Sequence, residues 1–380
     1  MTVGPGSLVW ERFGHNGIRI RDRSQGIDLT YHWGLFSFQS LHFWPRFLKG
    51  HMTYSIGSER TQRFLQFNVE SDREIHLQKL NLTFEQMNAL FQRLIENDTD
   101  GNRSYRYDYY LDNCSTRARD AIDVVVGGRI AKATQETETH QSFRSHTRRL
   151  LQGMLLPYLG IQLSLGHSAD EKISVWEEMF TPMALRRHLN EIALADGSPL
   201  VLSDKLIFNS SSMIEPKEAP SFLFTYLSVA VSIGLLMVIL AYLTAAGKKS
   251  ARALLALIGI LWSFLSGLAG IAFLLIWFFT EHRFGHWNEN LLQYNPLSWV
   301  MAVFFFALLV RGQVPRKATA VLHLILGCSV LGFFLQAVPA FDQVNGEAIA
   351  LALPLHLGMV WAMRIIGQSS RKSVPLKKRH

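Results

Sequence analysis

The chain has 380 residues, 48% of them hydrophobic and only 18% charged, with nine tryptophans and 25 phenylalanines, which excludes disorder and leaves material for more than one core. A net charge of +8 would suit a nucleic-acid binder if it covered a polar surface, but from Ser221 onward 13 basic residues stand against 4 acidic ones, and residues 1–220 carry −1. A nearly neutral first part joined to a basic, apolar second part is a membrane pattern, and no nucleic acid is expected as a partner.

In chain order, the first part reads as α+β. His15–Asp22 alternates, Arg23–Gly26 is a polar turn, and Ile27–Gly34 continues, which predicts a hairpin. With the turn centred near Ser24 and Gln25, residue 15 lies opposite 34 and His32 becomes a diagonal same-face neighbour of His15. Met52–Ile56, Arg63–Asn68 and Ile75–Leu80 are further strand-like runs. Thr83 and Gln86 form a capping box ahead of the stripe Phe84, Met87, Leu90, Phe91, Leu94 and Ile95, which predicts a helix. A second helix opens near Cys114 and stops at Gly127-Gly128. Residues 140–200 read as mostly helical, with Pro157 and Pro182 as breaks, and Pro199–Phe208 reads as a last strand before a Ser-rich linker at 209–213. The domains expected are residues 1–213 and 214–380.

Five apolar stretches follow, at 222–243, 254–279, roughly 291–310, 319–338 and 349–366, each near the ~20 residues that span a bilayer as helix. The intervening segments 244–252, 311–317 and 367–380 hold Lys and Arg and no acid. Segments 280–290 and 339–348 hold Glu281, Glu289, Asp342, Glu347 and one Arg283. Basic segments stay inside, so the C-terminus is expected in the cytoplasm and residues 1–220 outside, facing the periplasm or its equivalent. An external domain of that size needs an export signal, and the Met1–Leu8 stretch has no such pattern, so one is expected upstream of Met1.

Of two cysteines, Cys328 lies in the fourth apolar stretch and Cys114 in the external part, which leaves both unpaired. Cys114 at a helix N-terminus, after Asp112 and Asn113 as alternative caps, would have its thiol pKa lowered by the dipole, and the same amides could hold an oxyanion. His15 is the candidate base and His32 its orienting partner. The segment 281–290 with Tyr294-Asn295-Pro296 places His282, His286, Asn288, Asn290 and Asn295 on the same side, beside Trp287 and Trp299 as interfacial aromatics. It reads as a headgroup or substrate loop, or as a solvated connector. A metal site is not expected, because Gly285 interrupts the His282/His286 spacing and a third ligand is missing.

Phe13–Asn16, Tyr31–Phe36 and Asp112–Thr116 with Arg119-Asp120 resemble segments of the Lnb lipoprotein N-acyltransferase family, and the resemblance covers most of the chain. It implies a permuted papain-like thiol domain, akin to NlpC-type hydrolases, followed by a five-helix transmembrane bundle. It further implies Cys114, His15 and His32 as the catalytic group, with Asn113, Asp112, Asn16 and Tyr31 in support. The activity implied is transfer of an acyl chain from a phospholipid to a lipoprotein through a thioester on Cys114, with no cofactor. The family commonly has Asn where this chain has His32. A thiol peptidase or amidase acting on cell-wall peptides is the alternative, and a multi-span assembly or transport component is the non-enzymatic reading.

Overall fold

The computed structural model describes residues 1–37 and 42–372, and the basic tail beyond Lys372 lies outside the described residues. Two compact units are present: Met1–Gln162 with Glu171–Pro220, and Leu163–Asp170 with Ser221–His380.

The first unit is built on an antiparallel sheet of seven strands: β1 (Thr2–Val3), β2 (His15–Asp22), β3 (Ile27–Leu35), β4 (Thr53–Arg60), β5 (Ile75–Leu80), β6 (Ser104–Arg106) and one formed by Val201–Phe208. Their spatial order is β6-β4-β3-β2-β1-β5, with Val201–Phe208 outside β5. Strands β2 and β3 pair in the register Gly17↔His32 and Ile18↔Tyr31, which puts residue 15 opposite 34. Alternation then sorts the two faces. Ile18, Tyr31, Trp33 and Ile56 form a buried core with Leu90, Leu94, Ala118, Ala121 and Ile122 from two helices, Phe84–Asn97 and Cys114–Val125.

The opposite face of the hairpin is covered by a helix, Thr61–Glu70. The run Arg63–Asn68 is therefore helical and not a strand. Thr61, Phe64 and Asn68 are its buried residues, a spacing of three and four that marks one helical face, and Asn68 Nδ2 donates to Phe64 O at 2.8 Å. Pro157 does not break a helix either. It lies in the first turn of Leu155–Ser164, where its missing N–H costs nothing, and Pro182 opens Pro182–Leu189. A small two-stranded sheet, Glu138–Ser142 with Lys172–Ser174, interrupts the otherwise helical 140–200 region.

Among the described residues the second unit contains five apolar helices: Leu223–Ala245, Lys249–Phe279, Ser298–Arg311, Arg316–Leu335 and Gly346–Lys372. Four of them are long and apolar enough to cross a membrane. The third is shorter than the apolar run suggested: it starts at Ser298, and residues 289–292 form a 3₁₀ turn ahead of Pro296. Asn288 and Asn290 use their side-chain amides on one acceptor, Leu163 O, at 2.8 and 3.0 Å, which fixes the Leu163–Asp170 segment within this unit.

Candidate active site

Asn113 is the N-cap of the Cys114–Val125 helix. Its Oδ1 accepts from Ser115 N and Thr116 N at 2.8 and 3.0 Å, and its Nδ2 donates to Tyr109 O and Phe180 O at 2.9 and 3.0 Å. All four bonds are held by a side chain only 5% exposed, so the direction in which the helix starts, and with it Cys114, is set by Asn113. Asp112 does not cap. It pairs with Arg117, Arg117 Nη2 to Asp112 Oδ2 being 2.6 Å, and lines a cavity of about 570 Å³ with Trp33, Asn97 and Asp120.

The helix N-terminus reaches the end of the β2–β3 hairpin. Gly34 has φ 91°, and a Cβ added there would stand 3.7 Å from Cys114 Cβ. The N–H groups of Asn16, of Cys114 itself and of Ser115 lie near enough to the sulfur to favour its anion. Asn16 thus contributes its backbone, since its side chain turns away to Thr2 Oγ1 at 3.1 Å. Tyr31 is buried in the core against Phe91, with ring centroids 6.4 Å apart, and supports the sheet.

His15 and His32 meet. His15 Nε2 lies 3.0 Å from His32 Nδ1, and both rings pack on Phe64 at centroid distances of 6.2 and 5.3 Å. The line continues, because His32 Nε2 is 3.3 Å from Glu59 Oε1. With Nε2 committed to His32, Nδ1 is the ring nitrogen of His15 left to act as base. Among the described residues the His15 ring makes no hydrogen bond to Cys114 Sγ, and His32 is its one hydrogen-bond partner.

Electrostatics correct one expectation. Burial pushes the Cys114 thiol pKa up, and the opposing pulls of the Asn16 N–H, the Arg73 guanidinium and the helix-terminal N–H groups do not reverse it. The helix N-terminus alone implied the opposite sign. Burial also holds His15 well below its usual value, with His32 and Arg73 adding to the effect. His32 is lowered by burial against the raising influence of Glu59. At neutral pH the group therefore rests as thiol and neutral imidazole.

Arg73 and Glu59 were not singled out in the sequence. Arg73 is 4% exposed, donates from Nε to Gly4 O at 3.1 Å, and leaves Nη2 buried without a hydrogen-bond partner. It reaches the site because β1 lies between β2 and β5: Val3 pairs with His15 on one side and Ile75 on the other. A solitary arginine ahead of a strand gives no local signal of this, and Glu59 depends on the β3–β4 pairing Thr30↔Glu59.

Of the second-unit residues singled out, His286 Nε2 lies 3.1 Å from Thr280 O, and the His282 N–H donates to Thr280 Oγ1 at 3.3 Å. Asn288 and Asn290 hold Leu163, as described, and Asn295 is 8% exposed. Both cysteines are free.

A half-buried thiol at a capped helix N-terminus, an imidazole pair on an antiparallel sheet and a unit of long apolar helices define a membrane protein with a thiol-bearing α+β domain. Residues 1–151 match the family model of the Lnb N-terminal periplasmic domain, and residues 220–370 match that of the Lnb transmembrane domain. The chain therefore belongs to the Lnb family of membrane enzymes that modify lipoproteins, with a periplasmic N-terminal domain. No curated protein and no solved structure matches it.

Proposed function

We propose that the protein is an acyltransferase in which Cys114 carries an acyl chain from a phospholipid to the α-amine of a lipoprotein's lipidated N-terminal cysteine. The observation that carries this reading is a helix-terminal thiol beside the N–H of Asn16, the residue that follows His15, together with the engagement of His15 Nε2 by His32, which leaves Nδ1 for the thiol proton. In the first step His15 Nδ1 takes the thiol proton as Sγ attacks the ester carbonyl. The C–O bond then breaks, and the imidazolium returns that proton to the departing alcohol, leaving a lysophospholipid and a thioester. In the second step the amine attacks the thioester carbonyl, the C–N bond forms and the C–S bond breaks. The proton lost by the amine restores the thiol through His15. The N–H groups of Asn16 and Cys114 are the donors for both tetrahedral oxyanions, and His32 with Glu59 steadies the imidazolium.

Aromatic rings supply an apolar wall for the chain. Tyr107 packs with Cys114 on the core, Tyr54 stacks on Tyr107 at 4.1 Å, and Phe36 stacks on Tyr54 at 4.9 Å. The charge pattern supports an inner-membrane location with a cytoplasmic C-terminus.

The test is rescue of a bacterial strain lacking its own lipoprotein N-acyltransferase, read by mass spectrometry of lipoprotein N-termini. N-acylation is expected with the parent and lost with Cys114→Ala and His15→Ala. Restoration by Cys114→Ala would refute the thioester, and release of new amine ends from cell-wall peptides would mark a hydrolase instead.

A further inference from the structure

Within the helical unit a second cluster of polar side chains is buried where no charge balances it. His356, in the middle of the helix Gly346–Lys372, is 1% exposed; its Nδ1 lies 2.7 Å from Ser329 Oγ, and its Nε2 is buried without a hydrogen-bond partner. Trp262 stands beside it, with ring centroids 5.9 Å apart, and Trp262 Nε1 is likewise buried and unpartnered. Gln293, 1% exposed, donates from Nε2 to Ser329 O at 3.2 Å and leaves Oε1 unsatisfied, and neither polar atom of the Asn295 side chain has a partner. Unpaired polar groups of this kind each cost a few kcal/mol in an apolar surrounding, so this many in one place point to a ligand.

The backbone agrees. Gln293, Tyr294 and Asn295 precede the short helix Ser298–Arg311 and are not helical, yet they are packed deep in the unit. A Cβ on Gly270 would come within 2.4 Å of Tyr294 O and 2.8 Å of Asn295 Cα. Gly270 lies nine residues before Phe279, the last residue of its helix, or ~14 Å at the helical rise. Interrupted helices at such depth are tolerated in membranes where they line a binding site.

We propose that this cluster, Trp262, Gln293, Asn295, Ser329 and His356, is a lipid-binding site that takes the glycerol-ester region of a diacylglyceryl lipid. The ligand must be neutral at the point of contact, because the cluster has no Lys, Arg, Asp or Glu to pair with a phosphate or an ammonium. It must accept hydrogen bonds, because the indole N–H can only donate, while the amides of Gln293 and Asn295 can turn to present either atom. An ester carbonyl next to apolar chains meets both conditions. The same chemistry occurs in a phospholipid and in the diacylglyceryl group of a lipidated cysteine. The site shares no residue with the chemistry proposed at Cys114, so its occupancy is readable in Cys114→Ala.

The experiment uses the full chain, parent and Cys114→Ala, in nanodiscs of phosphatidylethanolamine and phosphatidylglycerol. Two photoreactive probes are used separately, a diacyl phospholipid and a diacylglyceryl lipopeptide, each with a diazirine near the ester carbonyl. Crosslinked peptides are mapped by mass spectrometry. At least one probe is expected to label the peptides holding Trp262, Gln293–Asn295 or His356, and the arm that labels identifies the source of the ester. Excess diester lipid should compete and the matching diether should not. Trp262→Phe, which keeps the ring, and His356→Leu should each lower labelling about tenfold, the loss expected for one buried hydrogen bond. Labelling by both probes only at outward-facing residues such as Phe264 and Leu265, equal competition by the diether, or unchanged labelling in both variants would each overturn the proposal.

Discussion

Removal of the Asn113 side chain gives the sharpest separation between a bystander cap and the residue that aims the nucleophile. Its amide makes two capping bonds and two bonds to the carbonyls of Tyr109 and Phe180, all from a buried position. Asn113→Ala loses the cap, about 1 kcal/mol, and two further hydrogen bonds at about 1 kcal/mol each, for a total of about 3 kcal/mol. Asn113→Ser restores a capping oxygen but cannot reach both carbonyls, so about 2 kcal/mol of the loss should remain. Denaturant unfolding followed by tryptophan fluorescence reads the stability, and lipoprotein acylation at a temperature where every variant is folded reads the aim of Cys114. Activity is expected to fall in both variants, because Tyr109 and Phe180 fix where the helix begins. If Asn113→Ala costs less than about 1 kcal/mol and acylates at the parental rate, the reasoning about the cap is wrong.

Three other outcomes follow from the same geometry. Arg73→Gln removes the cation that favours the Cys114 thiolate, so alkylation of Cys114 at about pH 8 should slow and its midpoint move upward, with the fold intact by circular dichroism; an unmoved midpoint would remove Arg73 from the site. Glu59→Gln takes away the carboxylate 3.3 Å from His32 and should lower kcat about tenfold with little change in KM, and an equal rise in KM at constant kcat would assign Glu59 to substrate binding instead. Stability should fall in acid earlier than carboxylates alone would cause, because His15, His32 and His146, a buried histidine beside Glu178 in the same unit, are all held below 6.5 by burial. Below pH 6.5 the unfolded chain binds protons that the folded chain refuses, so the stability present above that pH is lost as pH falls, at up to about 1.4 kcal/mol per pH unit for each such histidine. Unfolding free energies constant between pH 6.5 and 5 would contradict this.

Local sequence chemistry exposed the parts of this fold that depend on near neighbours. The hairpin register follows from a short turn and alternation, so the His15–His32 contact could be reached by counting from Ser24 and Gln25. The cap at Thr83 follows from residue type and spacing, whereas ahead of Cys114 those leave Asp112 and Asn113 as alternatives that only the structure separates. The parts that need distant pairing stayed hidden. Thr61–Glu70 was misread because Phe64, Leu65 and Phe67 fit a short strand as well as a helix, and only burial of Thr61, Phe64 and Asn68 decides between them. Arg73 and Glu59 come to the site through strand neighbours that no local pattern names. His356 was hidden in a largely apolar span, where a single histidine leaves the segment still apolar enough to read as a membrane helix.

The opposite displacements of the two central pKa values bear on how the proposed chemistry starts. A thiol raised by burial beside an imidazole lowered by burial is a neutral pair, so transfer of the proton from Cys114 to His15 is uphill in the free protein. The groups that ease it act on separate ends: Arg73 and the N–H groups of Asn16 and Ser115 on the anion, and Glu59 through His32 on the cation. Formation of the C–S bond consumes the thiolate as it appears, so proton transfer and attack are favoured together where an ester carbonyl is in place. A preformed thiolate would instead react with any electrophile reaching the periplasmic domain. Burial, which looked at first like a cost to the nucleophile, thus confines its reactivity to the moment of substrate contact.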